Sequence, residues 1–264
     1  MKHSALLNLI RERLVPDPAH TEPTACTPLR SWLDLARLIE SSATSNWIFR
    51  GEPSTTHELR AASGRRGSSH EPAVNYDPSQ EIAALRRFRY DAQPYVSYAP
   101  QSDLEWLAIA QHHGMATRLL EWTESLLVAA FFAVERAGSS GHALIYGVRG
   151  LPVLDPEESP DPFAIEEVSI YRPRHLDTRI AAQRGVFTIH PYPTEPFEHP
   201  SLHKWLIPEA ACRELRVVLD ACSINYASLF PDLHGLARHV GWRYDRGFPQ
   251  EVVPLETSSS VQDE

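Results

Sequence analysis

Residues 111–123 read Gln-His-His-Gly-Met-Ala-Thr-Arg-Leu-Leu-Glu-Trp-Thr. Two imidazoles, an amide, hydroxyls, a guanidinium and a carboxylate crowd into one short connector between strongly apolar runs. Polar groups held between buried elements must satisfy one another or serve a ligand. Gln111 and His113 fall at the C-terminal end of a helix, where the macrodipole favours a protonated imidazole. His113 is the candidate to contact ligand or move a proton; the structural alternative is a ring bonded to helix-end carbonyls. His112 should face elsewhere, because adjacent helical side chains point apart. Thr117, Arg118 and Glu121 form a polar rim before the next helix. Arg118 would bind phosphate or carboxylate near that helix's N-terminus, or else pair with Glu121 and tie the connector down. Trp122 reads as core.

Chemistry-bearing residues also stand at strand ends. Trp47, Ile48 and Phe49 form an apolar run, read as a buried strand, that ends at Arg50-Gly51. Arg offers a planar fork to phosphate oxygens, and Gly lets a backbone approach. A buried, unpaired Arg is costly, so Arg50 either clamps an anion or partners a buried carboxylate such as Glu121. Gln183, Thr188 and His190 flank another short strand. Residues 188 and 190 share one face by alternation, so that face lines the site, or His190 is a strand-end surface residue. Phe230-Pro231-Asp232-Leu233 reads as structural, with Asp232 a helix N-cap and Phe230 a staple. The thirteen histidines and three cysteines form no combined set with zinc-ligand spacing, so no metal is expected. Walker, nucleophile-elbow and dinucleotide fingerprints are missing.

Periodicity supplies the elements that must hold these residues. An amphipathic helix is expected over Met1–Val15, then a proline-rich connector over 16–28 and a helix over Ser31–Ile39. Residues 63–79 read as a long mobile loop, and Ser79 as the cap of a helix over Gln80–Tyr90. Ser102 with Glu105 is a capping box for a helix running to about His113, stopped by Gly114. Thr123 should cap the next helix, which is apolar nearly all round, central and buried, and ends at Gly138. Ala143–Val148 is a strand and 150–173 a proline- and acid-rich loop. His175–Gln183 is a helix, Val186–Ile189 a strand, and Leu202–Ile207 another strand. Helices over Ala210–Cys222 and Asp232–Val240 follow. The result is one α+β domain of short strands interleaved with helices over 44–245, a helical extension with its connector over 1–43, and a flexible tail over 246–264.

Composition bounds the function classes. A hydrophobic content of 42% supports a real core. A net charge of −9 disfavours nonspecific nucleic-acid binding. Arg60, Arg65, Arg66, Arg86, Arg87 and Arg89 could form a local basic patch; a solvated helix face with a loop is the plainer reading. The odd, sparse cysteines suit a reducing compartment, with Cys212 and Cys222 as buried, inert thiols. No apolar run spans a bilayer and the N-terminus is no signal peptide, so the expected location is the cytoplasm, away from membranes.

Four blocks resemble the FRG-domain family, named for a Phe-Arg-Gly motif. They are Trp47–Glu52; Leu107–Gly114 continuing through Thr117–Thr123; Arg179-Ile180 with Ala182-Gln183 and Gly185–His190; and Ile224-Asn225 with Leu229–Leu233 and Gly235–Ala237. The chain carries Glu52 and Glu121 where the family usually has Gln and Asp. The Phe-Arg-Gly strand is similar to the first strand of ADP-ribosyltransferases, where the Arg sits on a phosphate of NAD. The resemblance implies an ADP-ribosyltransferase-like fold and an NAD-directed enzyme or toxin in bacterial conflict or phage defence. Arg50, Gly51, Gln111, Thr117 and Arg118 would bind the nucleotide, and Gln183, His190, Glu121 and His113 would carry catalysis. A protein acceptor is expected with it. A non-catalytic module that binds a nucleotide or a partner protein is the competing reading. These polar residues should converge on a single cleft.

Overall fold

The computed structural model describes residues 26–65, 75–96, 100–136, 141–155, 160–174 and 177–248. The expected helix over Met1–Val15, the expected stop of the later apolar helix at Gly138, and the tail beyond residue 248 lie outside the described residues. In chain order, Thr27–Pro28 forms β1 and Trp32–Ser42 forms α1. Ile48–Glu52 is β2, Pro78–Ala92 is α2, and Asp103–His112 is α3. Leu119–Thr123 is β3, Leu126–Val134 is α4, and Ala143–Val148 is β4. Ser169–Tyr171 is β5, Thr178–Ala182 is α5, and Gly185–Ile189 is β6. His203–Ile207 is β7, Glu209–Ala221 is α6, Tyr226–Leu229 is α7, and Leu233–Asp245 is α8. The fold is α+β, built on one mixed sheet ordered β1-β7-β4-β2-β3-β6-β5. β1 runs parallel to β7, and the other pairs are antiparallel.

Strand alternation divides the core. On one face, Phe49, Ile145, Trp205 and Ile207 pack against α4 and α6. On that same face farther along the sheet, Leu119, Phe187 and Ile189 pack against Leu85 of α2, Leu104 and Leu107 of α3 and Ile180 of α5. The opposite face carries Ile48, Leu120, Trp122, Leu144, Tyr146, Val148 and Val186. The two helical groups therefore stand side by side over two halves of one sheet, and the halves meet where β2 adjoins β3. β2 follows β4 through five register positions but meets β3 at one, Phe49 opposite Thr123.

Local chemistry explains most boundaries. Ser102 accepts from the Glu105 backbone N–H at 3.2 Å, and Gly114 (φ +91°) stops the helix. The Glu105 carboxylate reaches back to the chain before the helix and takes the N–H of Gln101. α4 is buried along nearly its whole length, as its apolar sequence requires.

Several boundaries differ from expectation. The connector of 111–123 contains β3, an interior strand; Leu119, Leu120 and Trp122 are buried on alternate faces, which hides the period of two. Asp77, not Ser79, caps α2, because Pro78 fills the first helical position without needing a donor partner. Ser125, not Thr123, caps α4, while the Thr123 hydroxyl accepts from the Ser125 N–H at 3.0 Å. The connector over 16–28 ends in β1, and the loop over 150–173 contains β5. Cys222 is exposed; only Cys212 is a buried thiol, pushed up by burial to about 11. Of the arginine run, Arg86, Arg87 and Arg89 are solvated, but Arg60 is buried.

Candidate functional site

Where β2 and β3 part, a cleft of about 480 Å³ opens between the two helical groups. That volume lies in the range of small-molecule sites. Its polar lining comes from Arg50, Glu52, His57, Arg65, His112, Glu121, Thr123, Glu135, Arg136, Arg179 and Gln183, and Phe132, Phe187 and Phe230 supply apolar surface.

Arg50 sits at the parting. Its Nη1 donates to the Glu121 carbonyl at 2.8 Å, bridging strands that no longer pair there. Its Nε donates to Glu52 Oε1 at 2.7 Å and its Nη2 lies 2.6 Å from the same oxygen. Arg50 and Glu52 are two apart on one strand and so share a face. Burial alone would raise the Glu52 carboxyl; the Arg50 charge and bonds from His57 and Arg50 outweigh it and hold the group at about 2. The buried-carboxylate partner of Arg50 is thus Glu52, while Glu121 contributes its backbone. Arg65 stands nearby with its Nε on the Arg60 carbonyl at 2.6 Å. Burial and the Arg50 charge lower Arg65 to about 10 against the pull of Glu52.

Across the parting, Glu121 projects from β3 toward the cleft, opposite Phe187 of β6. Its Oε1 lies 3.1 Å from His112 Nδ1 at the end of α3. The His112 side chain is 7% exposed, and its Nε2 is 3.8 Å from Asp177, the N-cap of α5. From α5, Gln183 donates to the Leu229 carbonyl at 3.0 Å, and its own carbonyl accepts from Thr123 at 2.7 Å. Arg179 is held by Asp232 through Nε at 2.9 Å, so this guanidinium reaches the cleft from a fixed base. Asp232 is the N-cap of α8, as its sequence setting requires. At the end of α4, Glu135 accepts from the Tyr226 hydroxyl and faces the cleft beside Arg136.

Of the expected site residues, Arg50, Gly51, Glu121 and Gln183 come together in the cleft; Gln111, His113, Thr117, Arg118 and His190 do not. Arg118 is buried with Glu81: its backbone N–H donates to Oε1 at 2.7 Å and its Nη2 to Oε2 at 3.3 Å. Nη2 also donates to Tyr76, and the guanidinium stacks 4.3 Å over Phe163. It fastens the start of β3 to α2, and its carboxylate partner is Glu81, not Glu121. Thr117 is buried and donates to Gln111 at 2.8 Å, each satisfying the other. His113 caps α3 at the surface, with Nε2 3.5 Å from Asp177. His190 is core, not surface. Trp122 donates to Thr188 at 2.8 Å, and Thr188 lies 2.8 Å from His190 Nε2 on the face opposite Glu121. Burial, then the Arg50 charge, lowers His190 to about 3, which keeps it neutral. Gly51 has a packing role: a Cβ there would lie 2.0 Å from the Ala129 carbonyl oxygen of α4.

Residues 45–141 match the family model of the FRG domain. Over that stretch the chain carries an FRG domain. No curated protein and no solved structure matches the chain. The matched stretch contributes Arg50, Glu52, His112, Glu121 and Glu135 to the cleft, while Arg179, Gln183 and Phe230 come from beyond it. The sequence turns His112 away from the site and puts Arg65 in a basic patch, yet both line the cleft; Glu52 and Arg179 stand in the family blocks without a site role, and His57 and Glu135 are not singled out at all. Glu52 was open to discovery from its two-residue spacing from Arg50. Glu135 carries no such signal, because a charge at the end of an apolar helix reads as solvated. Among the described residues no helix is long and apolar enough to cross a membrane, and no group of His, Cys, Asp or Glu could hold a metal ion.

Proposed function

We propose that the FRG cleft binds a phosphate-bearing nucleotide, with NAD the lead candidate, and acts on its nicotinamide–ribose bond as an ADP-ribosyltransferase-like enzyme. One observation carries the reading: Arg50 and Glu121 meet in one cleft at the parting of β2 and β3. The Arg50 fork keeps N–H donors beyond those spent on Glu52 and the Glu121 carbonyl, and a phosphate oxygen can take them. Glu121 offers a carboxylate for the positive charge that develops at C1′ as the glycosidic bond breaks. In that step the C1′–N bond breaks with its electron pair going to the pyridinium nitrogen. Neutral nicotinamide leaves, an acceptor hydroxyl or water bonds C1′, and its proton passes to Glu121. Arg65 and Arg179 add positive charge at the rim for the pyrophosphate. The setting in bacterial conflict, phage defence and the cytoplasm is carried by the family resemblance, as is a protein acceptor.

Calorimetry with NAD, beside an assay of nicotinamide release, tests the reading. Wild type should bind NAD and release nicotinamide, and Glu121→Gln should bind without release. The competing reading, a non-catalytic nucleotide- or protein-binding module, is favoured by the Arg50–Glu52 pair, which satisfies Arg50 with no ligand at all. Folded wild type that leaves NAD unbound would move the assignment to that module.

A further inference from the structure

His112 is the ring in the cleft whose two nitrogens both face carboxylates. Nδ1 lies 3.1 Å from Glu121 Oε1, and Nε2 lies 3.8 Å from Asp177 Oδ1. Among the described residues Nε2 is buried and has no hydrogen-bond partner, since 3.8 Å exceeds bonding distance. An unsatisfied buried nitrogen costs free energy that structures seldom leave uncompensated without a purpose. Asp177 is itself fixed: as N-cap of α5 it accepts the Arg179 backbone N–H at 2.7 Å, and its second oxygen is 3.5 Å from His113 Nε2. Glu121 is the free end of the chain, 40% exposed, and among the described residues its side chain bonds only His112.

We infer that His112 is a positioning residue: it holds one oxygen of Glu121 and so turns the other toward the ligand, with Asp177 limiting the ring from behind. The inference rests on the nucleotide reading of the cleft and adds to it how the carboxylate is aimed. The Nδ1–H donates to Oε1, leaving Oε2 for the reacting centre. Other charged groups around this ring are His113 on its own helix, Arg179 on α5 and Arg50 across the cleft on β2. A carboxylate free to rotate away spends less time in the productive pose, and small misplacements are expensive in rate.

The test separates binding, turnover and geometry. His112→Ala should lower kcat for nicotinamide release about ten- to a hundredfold while NAD affinity stays within about threefold. His112→Asn places an amide N–H near the Nδ1 position and should recover most of the rate; a ring that merely filled space would not be rescued this way. The same split should persist across pH, with the His112→Ala profile displaced from that of wild type. An unchanged kcat in His112→Ala overturns the inference. The ring nitrogens give a readout that needs no NAD. ¹⁵N shifts of His112 in the full-length protein should report a protonated, bonded Nδ1 that changes in Glu121→Gln. Wild type without NAD turnover but with that coupling would sink the enzyme reading and leave the positioning contact standing. Ring shifts indifferent to Glu121→Gln would remove the contact itself.

Discussion

On the nucleotide reading Arg50 would serve both the fold and the ligand, and its neighbours determine how the two separate. With Glu52 it forms a buried ion pair, 19% and 7% exposed, so deleting one partner strands a charge. Glu52→Gln should therefore destabilise the protein by about 3–5 kcal/mol, whereas Glu121→Gln, which keeps the bonded carbonyl, should leave the denaturation midpoint close to wild type. Arg50→Lys keeps the charge and loses the fork, so NAD affinity should fall roughly ten- to a hundredfold in calorimetry. Acid should act in two stages. His190 is held at about 3 against an ordinary 6.5, so between those values the unfolded chain binds the extra proton and stability falls as pH drops. Glu52, at about 2 against 4.5, contributes stability that is present above 4.5 and lost as pH falls toward 2. Urea titrations from pH 7 to 3 should show both losses. Glu52→Gln should flatten the lower stage and leave the upper; a single stage unaffected by that change would contradict the assignment.

At the scale of elements, β2 and α4 are fitted to each other through Gly51. A Cβ there meets backbone atoms of Ala129 and Ala133 at 2.0 and 2.5 Å, and backbone cannot swing aside as a side chain can. Gly51→Ala should therefore push α4 off the strand and sharply lower the melting temperature, even though alanine is small and apolar. Phe131→Ala, at a 2% exposed position, should cost about 3–5 kcal/mol in denaturant unfolding. Leu127 lies only partly buried against the same cluster, so Leu127→Ala should cost clearly less than Phe131→Ala. This is also the scale at which the sequence was most and least readable. α4 announced itself because its residues are apolar on every side. β3 did not: both its faces are buried, and the polar residues that precede it belong to the end of α3 and to the Glu81 pair. A strand of five residues lodged between two helices offers too few positions for alternation to stand out.

For the whole molecule, the open question at the sequence level was which polar residues meet. Chain order placed Arg118 and Glu121 together, yet three residues along a strand turn them to different faces, one into the Glu81 pair and one into the cleft. His112 and His113 do not point apart as helical neighbours should: both rings reach Asp177, at 3.8 and 3.5 Å, and it is His112 that lines the cleft, because α5 lies beside the end of α3, which no local spacing encodes. What the molecule does have is two sheet halves joined at β2–β3 by one register pair and the Arg50 bridge. A ligand seated in the cleft touches both halves, from α4 on one side to α3 and α5 on the other. It should bind the folded chain and have no comparable site on the unfolded one. At a hundredfold excess over Kd, NAD would then add about 2.7 kcal/mol to stability, which for a chain of this size raises Tm by roughly 5–10 °C. Arg50→Lys should need roughly ten- to a hundredfold more NAD for the same rise. Thermal melts of both proteins over an NAD series decide it: parallel curves would place NAD away from Arg50, and flat curves at every concentration would leave this cleft without NAD as its ligand.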